Sequence, residues 1–259
     1  FNGDNISYAL GDASTAYCGI SNIRLWKRSF EKYHLTQTPE NGFGETPLKK
    51  YRRHIFLLHP NKVVIYDELE ANEKVRWDWL LHSPVKFDIN PAASILTTVN
   101  KEKGFSSVVQ LFCEQEAAIT QTDKYAAPPN HADAQRGEDF TDPWSLTASF
   151  GPSRNNRILT IIQVEADGRQ AVQIMREGNT FQCGEWVIEA ELNAKRPGRL
   201  YIRNSRNNAV FSYGDKKPEI NGELYSCKEK DASVLFDCVN GEWTVQEMGD
   251  QRVQTMGKW

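Results

Sequence analysis

One segment, from Tyr51 to Pro84, constrains the fold more than any other part of the chain. Arg53 to His59 is a mostly apolar run, Pro60 to Lys62 interrupts it, and Val63 to Tyr66 continues it. Apolar residues on both faces of such runs are typical of strands that are buried on both sides. The segment therefore predicts two adjacent strands in the middle of a β-sheet, with a turn between them.

A third run follows in the same segment. From Val75 to Leu81 apolar residues alternate with mostly polar ones, which places Trp77 and Trp79 on one face of a strand. Tryptophans at strand spacing are expected in the core. We expect Ala71 to Lys74 to connect this strand to the preceding one, and Asp67 to cap the turn that leads there.

The rest of the chain repeats this pattern of β-rich runs and turns. Glycine-containing turn signals occur at Glu177-Gly178-Asn179, Asn221-Gly222 and Asn240-Gly241. No segment holds a helical period over three turns. With 259 residues, 39% of them apolar, the chain can bury a sizeable core. We predict an all-β chain that forms a large antiparallel β-sandwich, or two stacked β-sheet subdomains.

Two long irregular stretches divide the chain. The first runs from Thr36 to Pro47, and the second, over 126–143, is rich in Ala, Asp and Pro. Loops of this length are usually functional or mobile. We predict a first β-sandwich part over 1–125, a long loop over 126–143, and a second β-rich part over 144–259 that continues the first or stacks on it.

Composition argues against several classes of protein. A net charge of −3 and a pI of about 6.0 do not favour nucleic-acid binding. No apolar run approaches the roughly 20 residues needed to span a membrane. There is no signal-peptide pattern, and because the chain begins with Phe1 we expect a processed or excised piece. Five cysteines form no CxxC pair, which argues against structural zinc, and a disulfide between Cys227 and Cys238 stays open.

Several motifs occur in a characteristic order. They are Gly-Asp-Ala-Ser at Gly11 to Ser14, then Tyr17, then RRHIFLLHPNKVVIYDELEA from Arg52, and WDWLLHS from Trp77. As an ordered set they resemble the C-terminal β-sandwich region of the heparinase II/III-like polysaccharide lyases. The resemblance covers about Gly11 to Pro84, and the remaining chain shares only its richness in strands.

The resemblance implies a fold and a reaction. Members of the family are secreted or periplasmic bacterial enzymes that cleave uronic-acid polysaccharides by β-elimination, and they place an N-terminal α/α toroid before the β-sheets. Loss of the C5 proton requires that the uronate carboxylate be neutralised. The family's catalytic Tyr, Asn and first His lie on the toroid, which this chain lacks. We therefore expect a catalytically incomplete fragment whose partners are the toroid domain and an anionic polysaccharide.

No metal ligand or cofactor site can be transferred from the family to this sequence. The family's ligand segment precedes Gly-Asp-Ala-Ser, and here only ten residues, none of them His, come before Gly11. We expect no cofactor in this fragment and leave zinc or calcium open for the intact enzyme. The weak catalytic candidates are His82, His34 and Tyr33, although a half-buried His bonded within the sheet is the commoner role for His82.

A basic and aromatic segment offers the best candidate for substrate binding. Guanidinium and ammonium groups pair with carboxylate or sulfate, and aromatic rings stack on sugar rings. A solvated charged face above packed aromatics would show the same pattern. The candidate residues are Arg24, Trp26, Lys27, Arg28, Tyr33 and His34.

The acidic residues of the segment from Tyr51 to Pro84 are not expected to form the paired-carboxylate site of a glycosidase. Asp67 and Glu68 are adjacent in a strand and should point to opposite faces, which argues against a two-carboxylate glycosidase site. Asp12 with Ser14 is expected to fix a turn. The alternative to a lyase fragment is a non-catalytic carbohydrate-binding or structural β-sandwich module.

Overall fold

The computed structural model describes most of the chain, and the regular secondary structure of the described part is nearly all β-strand. The described residues are 1–16, 30–34, 36, 38, 44, 46–124, 143–166, 168–204, 209–214, 219–220, 223–225, 232–248 and 253–258. Within these ranges no helix is long and apolar enough to cross a membrane.

The described ranges hold eighteen strands, a short 3-10 helix (Pro91–Ala93) and helical residues at 30–32. The strands are β1 (Ile6–Asp12), β2 (Leu48–Leu58), β3 (Lys62–Ser83), β4 (Asp88–Asn90), β5 (Ile95–Asn100), β6 (Phe105–Phe112), β7 (Ala118–Thr122), β8 (Trp144–Ala166), β9 (Ile174–Glu177), β10 (Thr180–Cys183), β11 (Trp186–Ala190), β12 (Leu200–Asn204), β13 (Ala209–Tyr213), β14 (Glu219–Ile220), β15 (Glu223–Leu224), β16 (Ser233–Val239), β17 (Glu242–Met248) and β18 (Val253–Lys258).

The strands form two large antiparallel sheets. The first sheet has the order β1-β2-β3-β8-β6-β5-β4, with β7 also paired to β8. The second has the order β18-β17-β16-β13-β12-β11-β10-β9, and β14 and β15 form a separate pair. The prediction of an all-β sandwich is confirmed.

The chain enters the second sheet only after β8. This strand follows the stretch predicted as a long loop, yet it lies in the middle of the first sheet, between β3 and β6. The two sheets therefore divide the chain between β8 and β9. Of the predicted loop over 126–143, only Pro143 lies within the described residues.

Strand β3 is longer than the sequence suggested. The predicted connection from Ala71 to Lys74 is wrong, because β3 runs without a break from Lys62 to Ser83. It pairs with β8, which is 23 residues long, and the register shifts between Glu70 and Trp77 absorb the irregularity. The predicted turn at Pro60 to Lys62 is confirmed, since β2 ends at Leu58 and β3 begins at Lys62.

The first sheet has apolar side chains on both faces. On one face, Phe56, Tyr66 and Leu159 pack against residues of the second sheet such as Trp186 and Phe211. This inter-sheet face is called the inner face below. Burial of such side chains contributes roughly 1.5–3 kcal/mol each before entropy is counted.

The opposite, outer face of the first sheet contributes to a second core. Leu69, Trp77 and Trp79 of β3 pack there with Leu96 of β5 and Val109 of β6. The prediction that the tryptophans at strand spacing are core residues is confirmed for both positions of β3, which are buried.

Two of the predicted turns are confirmed. Gly178 joins β9 to β10, and Asn240 and Gly241 join β16 to β17 with positive φ values of 53° and 82°. Asn221-Gly222 lies outside the described residues. So does Cys227; its proposed partner Cys238 is a free thiol.

Candidate functional site

The Gly-Asp-Ala-Ser segment ends β1 and is tied to the neighbouring strand. The Asp12 carboxylate accepts hydrogen bonds from the Ser14 backbone N–H (3.0 Å) and hydroxyl (2.5 Å). The Ser14 hydroxyl in turn accepts from the Tyr51 backbone N–H at 3.0 Å. The expectation that Asp12 and Ser14 fix a turn is confirmed.

A row of alternating charges crosses four strands of the inner face at this point. Asp12 lies opposite Arg52, Arg52 opposite Glu68, and Glu68 opposite Arg157. The Arg52 Nε donates to Asp12 Oδ2 at 2.9 Å, and Arg157 Nη2 lies 3.1 Å from Glu68 Oε2. We call these four residues the charge ladder. It runs from the exposed Asp12 to the buried Arg157.

Glu68 is the central carboxylate of the ladder. Only 1% of its side chain is exposed, and it accepts a hydrogen bond from the Tyr213 hydroxyl of the second sheet at 2.7 Å. Burial alone would raise its pKa, but the hydrogen bond with His54, the charge of Arg157 and the bond from Tyr213 lower the pKa to about 2. Glu68 is therefore a buried anion that joins the two sheets.

The histidine and tyrosines around Glu68 are buried as well. His54 Nε2 lies 3.4 Å from Glu68 Oε1, and His54 Nδ1 lies 3.0 Å from the Tyr8 hydroxyl. Burial, the main cause, raises the pKa of both Tyr8 and Tyr213, and the charge of Glu68 raises it further. Buried side chains cannot touch a polymer, so we interpret this inter-sheet cluster as structural. Its members are Tyr8, His54, Glu68, Arg157 and Tyr213.

One glycine shows how closely the second sheet approaches this cluster. A Cβ added to Gly198 would overlap the Glu68 carboxylate. The carboxylate cannot move aside cheaply, because Arg157, Tyr213 and His54 hold it. Glycine at this position lets the chain preceding β12 pass over the ladder.

Arg53, the next residue after Arg52, lies on the outer face. Its Nε and Nη2 donate to the two carboxylate oxygens of Asp67 at 2.7 and 3.0 Å. The predicted turn-capping role of Asp67 is wrong, because Asp67 lies inside β3, opposite Arg53. The prediction that Asp67 and Glu68 point to opposite faces is confirmed.

An open cleft of about 270 Å³ lies beside this pair. Its lining combines the Arg53–Asp67 ion pair with the ring of Tyr51, over which the Arg53 guanidinium lies at 5.8 Å. Apolar side chains complete most of the lining. The residues that line this outer cleft are Tyr51, Arg53, Asp67, Leu69, Trp77, Asp78, Trp79, Leu80 and Ile158.

The three weak catalytic candidates do not meet at the ladder or the cleft. His82 is exposed near the end of β3, not half-buried as expected, and its Nε2 lies 3.3 Å from the Ser145 hydroxyl of the neighbouring strand. Tyr33 is 66% exposed, with the Lys32 ammonium 5.3 Å from its ring centre, and the adjacent His34 has a positive φ of 52°. Their catalytic roles remain predictions.

Most of the predicted basic segment lies outside the described residues. This holds for Arg24, Trp26, Lys27 and Arg28, so their role in substrate binding stays a prediction. Further along, each of three described cations of β2 pairs with a carboxylate: Lys50 with Glu70, Arg52 with Asp12, and Arg53 with Asp67.

Metal binding gains no candidate site from the described part of the chain. Within it, no group of three or more His, Cys, Asp and Glu side chains could hold a metal ion. Zinc or calcium in the intact enzyme stays a prediction.

Sequence reasoning missed three members of the inter-sheet cluster, Tyr8, Arg157 and Tyr213. A signal for Arg157 exists, because it is a charged residue directly before the apolar run that begins at Ile158. The two tyrosines carry no such signal, since tyrosine is common in strands. Strand pairing brings Tyr8 to His54, and the packing of the second sheet on the first brings Tyr213 to Glu68.

Comparisons with known proteins give a distant structural similarity and no match in sequence. No family model and no curated protein matches the chain. Among solved structures, the chain is similar to a heparinase III gene product, with a TM-score of 0.41 and 13% sequence identity. The match covers 74% of this chain and 34% of that one, so this chain spans about a third of its length. It is a distant similarity of fold and assigns no residue or reaction to this chain.

Proposed function

We propose that this chain is the β-sandwich part of a heparinase II/III-like polysaccharide lyase that acts on uronic-acid polysaccharides. The observation that carries the proposal is the convergence of the ordered motifs. Asp12 and Ser14 come from the first motif and Arg52 and Glu68 from the second. Hydrogen bonds join Ser14 to Asp12 and Asp12 to Arg52, and strand pairing places Glu68 opposite Arg52 along the charge ladder. A motif set that encodes one continuous array is more specific than its separate parts.

The exposed end of the ladder supplies the charge that the reaction needs. β-Elimination removes the C5 proton of a uronate and breaks the C4–O bond, which leaves a C4–C5 double bond and a new hydroxyl group. A cation beside the uronate carboxylate stabilises the charge that develops. Arg52 suits this role because it is 31% exposed and its partner Asp12 is 43% exposed, so the pair can open at little cost.

The base of the reaction is proposed to come from the toroid domain. His54, Tyr8 and Tyr213 are buried and cannot touch a polymer. The chain then forms one wall of a substrate cleft, and a secreted or periplasmic location belongs to the same proposal. The burial of these residues equally favours the second candidate, a non-catalytic carbohydrate-binding module, because such a module needs no base.

The test is a lyase assay of the protein that carries this chain. Heparan sulfate, heparin, chondroitin, hyaluronan and alginate are incubated with it, and the ultraviolet absorbance of the unsaturated uronate is followed. We expect absorbance on at least one polymer and a raised KM for Arg52→Gln. The matched control is Arg169→Gln, which removes an exposed cation between β8 and β9. Absence of signal on every polymer would overturn the lyase proposal, and polymer binding without signal would favour the binding module.

A further inference from the structure

The outer cleft has the size and lining of a site for one small ring. Its volume of about 270 Å³ lies just below the range of about 300–1,000 Å³ that is usual for drug-sized ligands. The lining is of mixed polarity: the side chains of Leu69, Trp77 and Ile158 are apolar, and Tyr51 presents a half-buried ring. Charged groups lie at Arg53, Asp67 and Asp78. Such a mixture of apolar and polar groups suits an amphiphilic ring such as a pyranose.

The charges of the cleft are already balanced. Arg53 holds Asp67 through two parallel hydrogen bonds, and only 1% of the Asp67 side chain is exposed. Asp78 accepts hydrogen bonds from Arg76 (2.9 Å) and from the Ser149 hydroxyl (2.7 Å). The charged side chains that line the cleft therefore all have partners of opposite charge.

A carboxylate ligand that took the two-bond position of Asp67 on Arg53 would have to break the Arg53–Asp67 pair. Taking Arg53 away would leave the Asp67 carboxylate buried without its counter-charge, which is a costly arrangement. A carboxylate at the outer edge of the intact pair would meet a pair without net charge and gain little attraction. A neutral ring needs no counter-charge, because its hydroxyl groups can bond to the same outer edge. The cleft thus favours a neutral ring over a carboxylate although it contains an arginine.

We propose that the outer cleft is a binding subsite for a neutral pyranose unit and that it rejects a uronate. The assignment to saccharides rests on the proposed function, whereas the preference for a neutral ring rests on the Arg53–Asp67 pair. The cleft lies on the face opposite the inner face, so it is distinct from the exposed end of the charge ladder.

Two matched probes test the preference. Methyl glucoside and methyl glucuronide share one ring and differ only in the group on C5. Each is titrated into the 15N-labelled chain, and the backbone and indole N–H signals of Tyr51, Trp77 and Leu80 are followed. We expect millimolar binding of the glucoside at these signals and binding of the glucuronide that is about tenfold weaker. Equal or tighter binding of the glucuronide, or unmoved cleft signals with both probes, would overturn the proposal.

A charge-neutral variant tests the cause of the preference. Asp67→Asn keeps the shape of the side chain and releases the Arg53 guanidinium, so the glucuronide should gain about tenfold relative to the glucoside. The control Asp88→Asn removes an exposed carboxylate on β4 and should leave the ratio unchanged. An unchanged ratio in a folded Asp67→Asn protein would overturn the charge argument.

The outcomes also separate this subsite from the proposed function. If the intact protein cleaves a polymer but neither probe shifts the N–H signals of the cleft, the subsite proposal is rejected and the lyase proposal is kept. If the glucoside binds in the cleft but no polymer is cleaved, the lyase proposal is rejected and the subsite proposal is kept.

Discussion

Glu68→Gln should remove a large part of the polar attraction between the two sheets. A pKa lowered from 4.5 to about 2 corresponds to about 3 kcal/mol in favour of the ionised form in the folded protein. Because the folded pKa is lowered, this stability is fully present above pH 4.5 and is lost as the pH falls towards 2. We therefore expect Glu68→Gln to lower the free energy of unfolding by about 3 kcal/mol at pH 7 and by about 1–2 kcal/mol at pH 3.

Urea unfolding followed by tryptophan fluorescence measures this loss, since Trp186 is buried in the core between the sheets. The control is Glu70→Gln, whose carboxylate is 33% exposed, pairs with Lys50 at 3.1 Å and lies 3.9 Å from Arg157. A partly exposed pair of this kind contributes about 1 kcal/mol. If Glu68→Gln cost no more than Glu70→Gln, or cost the same at pH 3 as at pH 7, the account of Glu68 as a buried stabilising anion would be refuted.

Two further predictions concern close packing and thiol reactivity. Gly198→Ala should lower the free energy of unfolding by about 1–3 kcal/mol in urea titrations, because the new methyl group overlaps the fixed Glu68 carboxylate. The control Gly11→Ala should leave the free energy of unfolding nearly unchanged, because its Cβ meets only a carbonyl oxygen at 4.0 Å. Equal costs for the two variants would contradict the packing argument. Burial raises the pKa of Cys183 to about 11, so this thiol should react slowly with iodoacetamide at pH 8. Peptide mapping should find the half-buried Cys238 alkylated well before Cys183, and the reverse order would contradict this interpretation.

The fold could largely be predicted from the sequence because period-2 patterns and glycine turns are local signals. The error at Ala71 to Lys74 has a physical cause. Asn72, Glu73 and Lys74 are exposed within β3, in the stretch where its register against β8 shifts, so their polarity resembles that of a loop. Apolar residues at odd-numbered positions of β3 face the same core on both sides of this stretch, and this pattern indicates a single strand. These residues are Leu69, Ala71, Val75, Trp77, Trp79 and Leu81.

The sites were less predictable because they depend on register. The alternation of strand residues predicts that Asp67 and Glu68 diverge, but it does not say that Arg53 meets one and Arg157 the other. Those partners come from the alignment of β2, β3 and β8, which no short motif specifies. The packing of Tyr213 against Glu68 depends on a second sheet that begins a hundred residues later.

Arg52 and Arg53 show how the face of a strand decides the role of a residue. Their side chains are almost equally exposed, at 31% and 30%, but Asp12 is 43% exposed whereas Asp67 is 1% exposed. Arg52→Gln should therefore cost at most about 1 kcal/mol, and Arg53→Gln about 3 kcal/mol, because only the second change leaves a buried carboxylate without its partner. Urea unfolding at pH 7 measures both.

The pH dependence and a double variant then identify the cause. Burial already raises the pKa of Asp67, and loss of Arg53 would raise it further, because Arg53 favours the ionised form. A carboxyl group whose folded pKa is raised opposes folding above that pKa, so the cost of Arg53→Gln should shrink as the pH falls and Asp67 takes up a proton. Combining Arg53→Gln with Asp67→Asn should recover most of the loss at pH 7. If the double variant were as unstable as Arg53→Gln alone, the lost contact would be one of packing, and the charge balance of the outer cleft would no longer explain a preference for neutral rings.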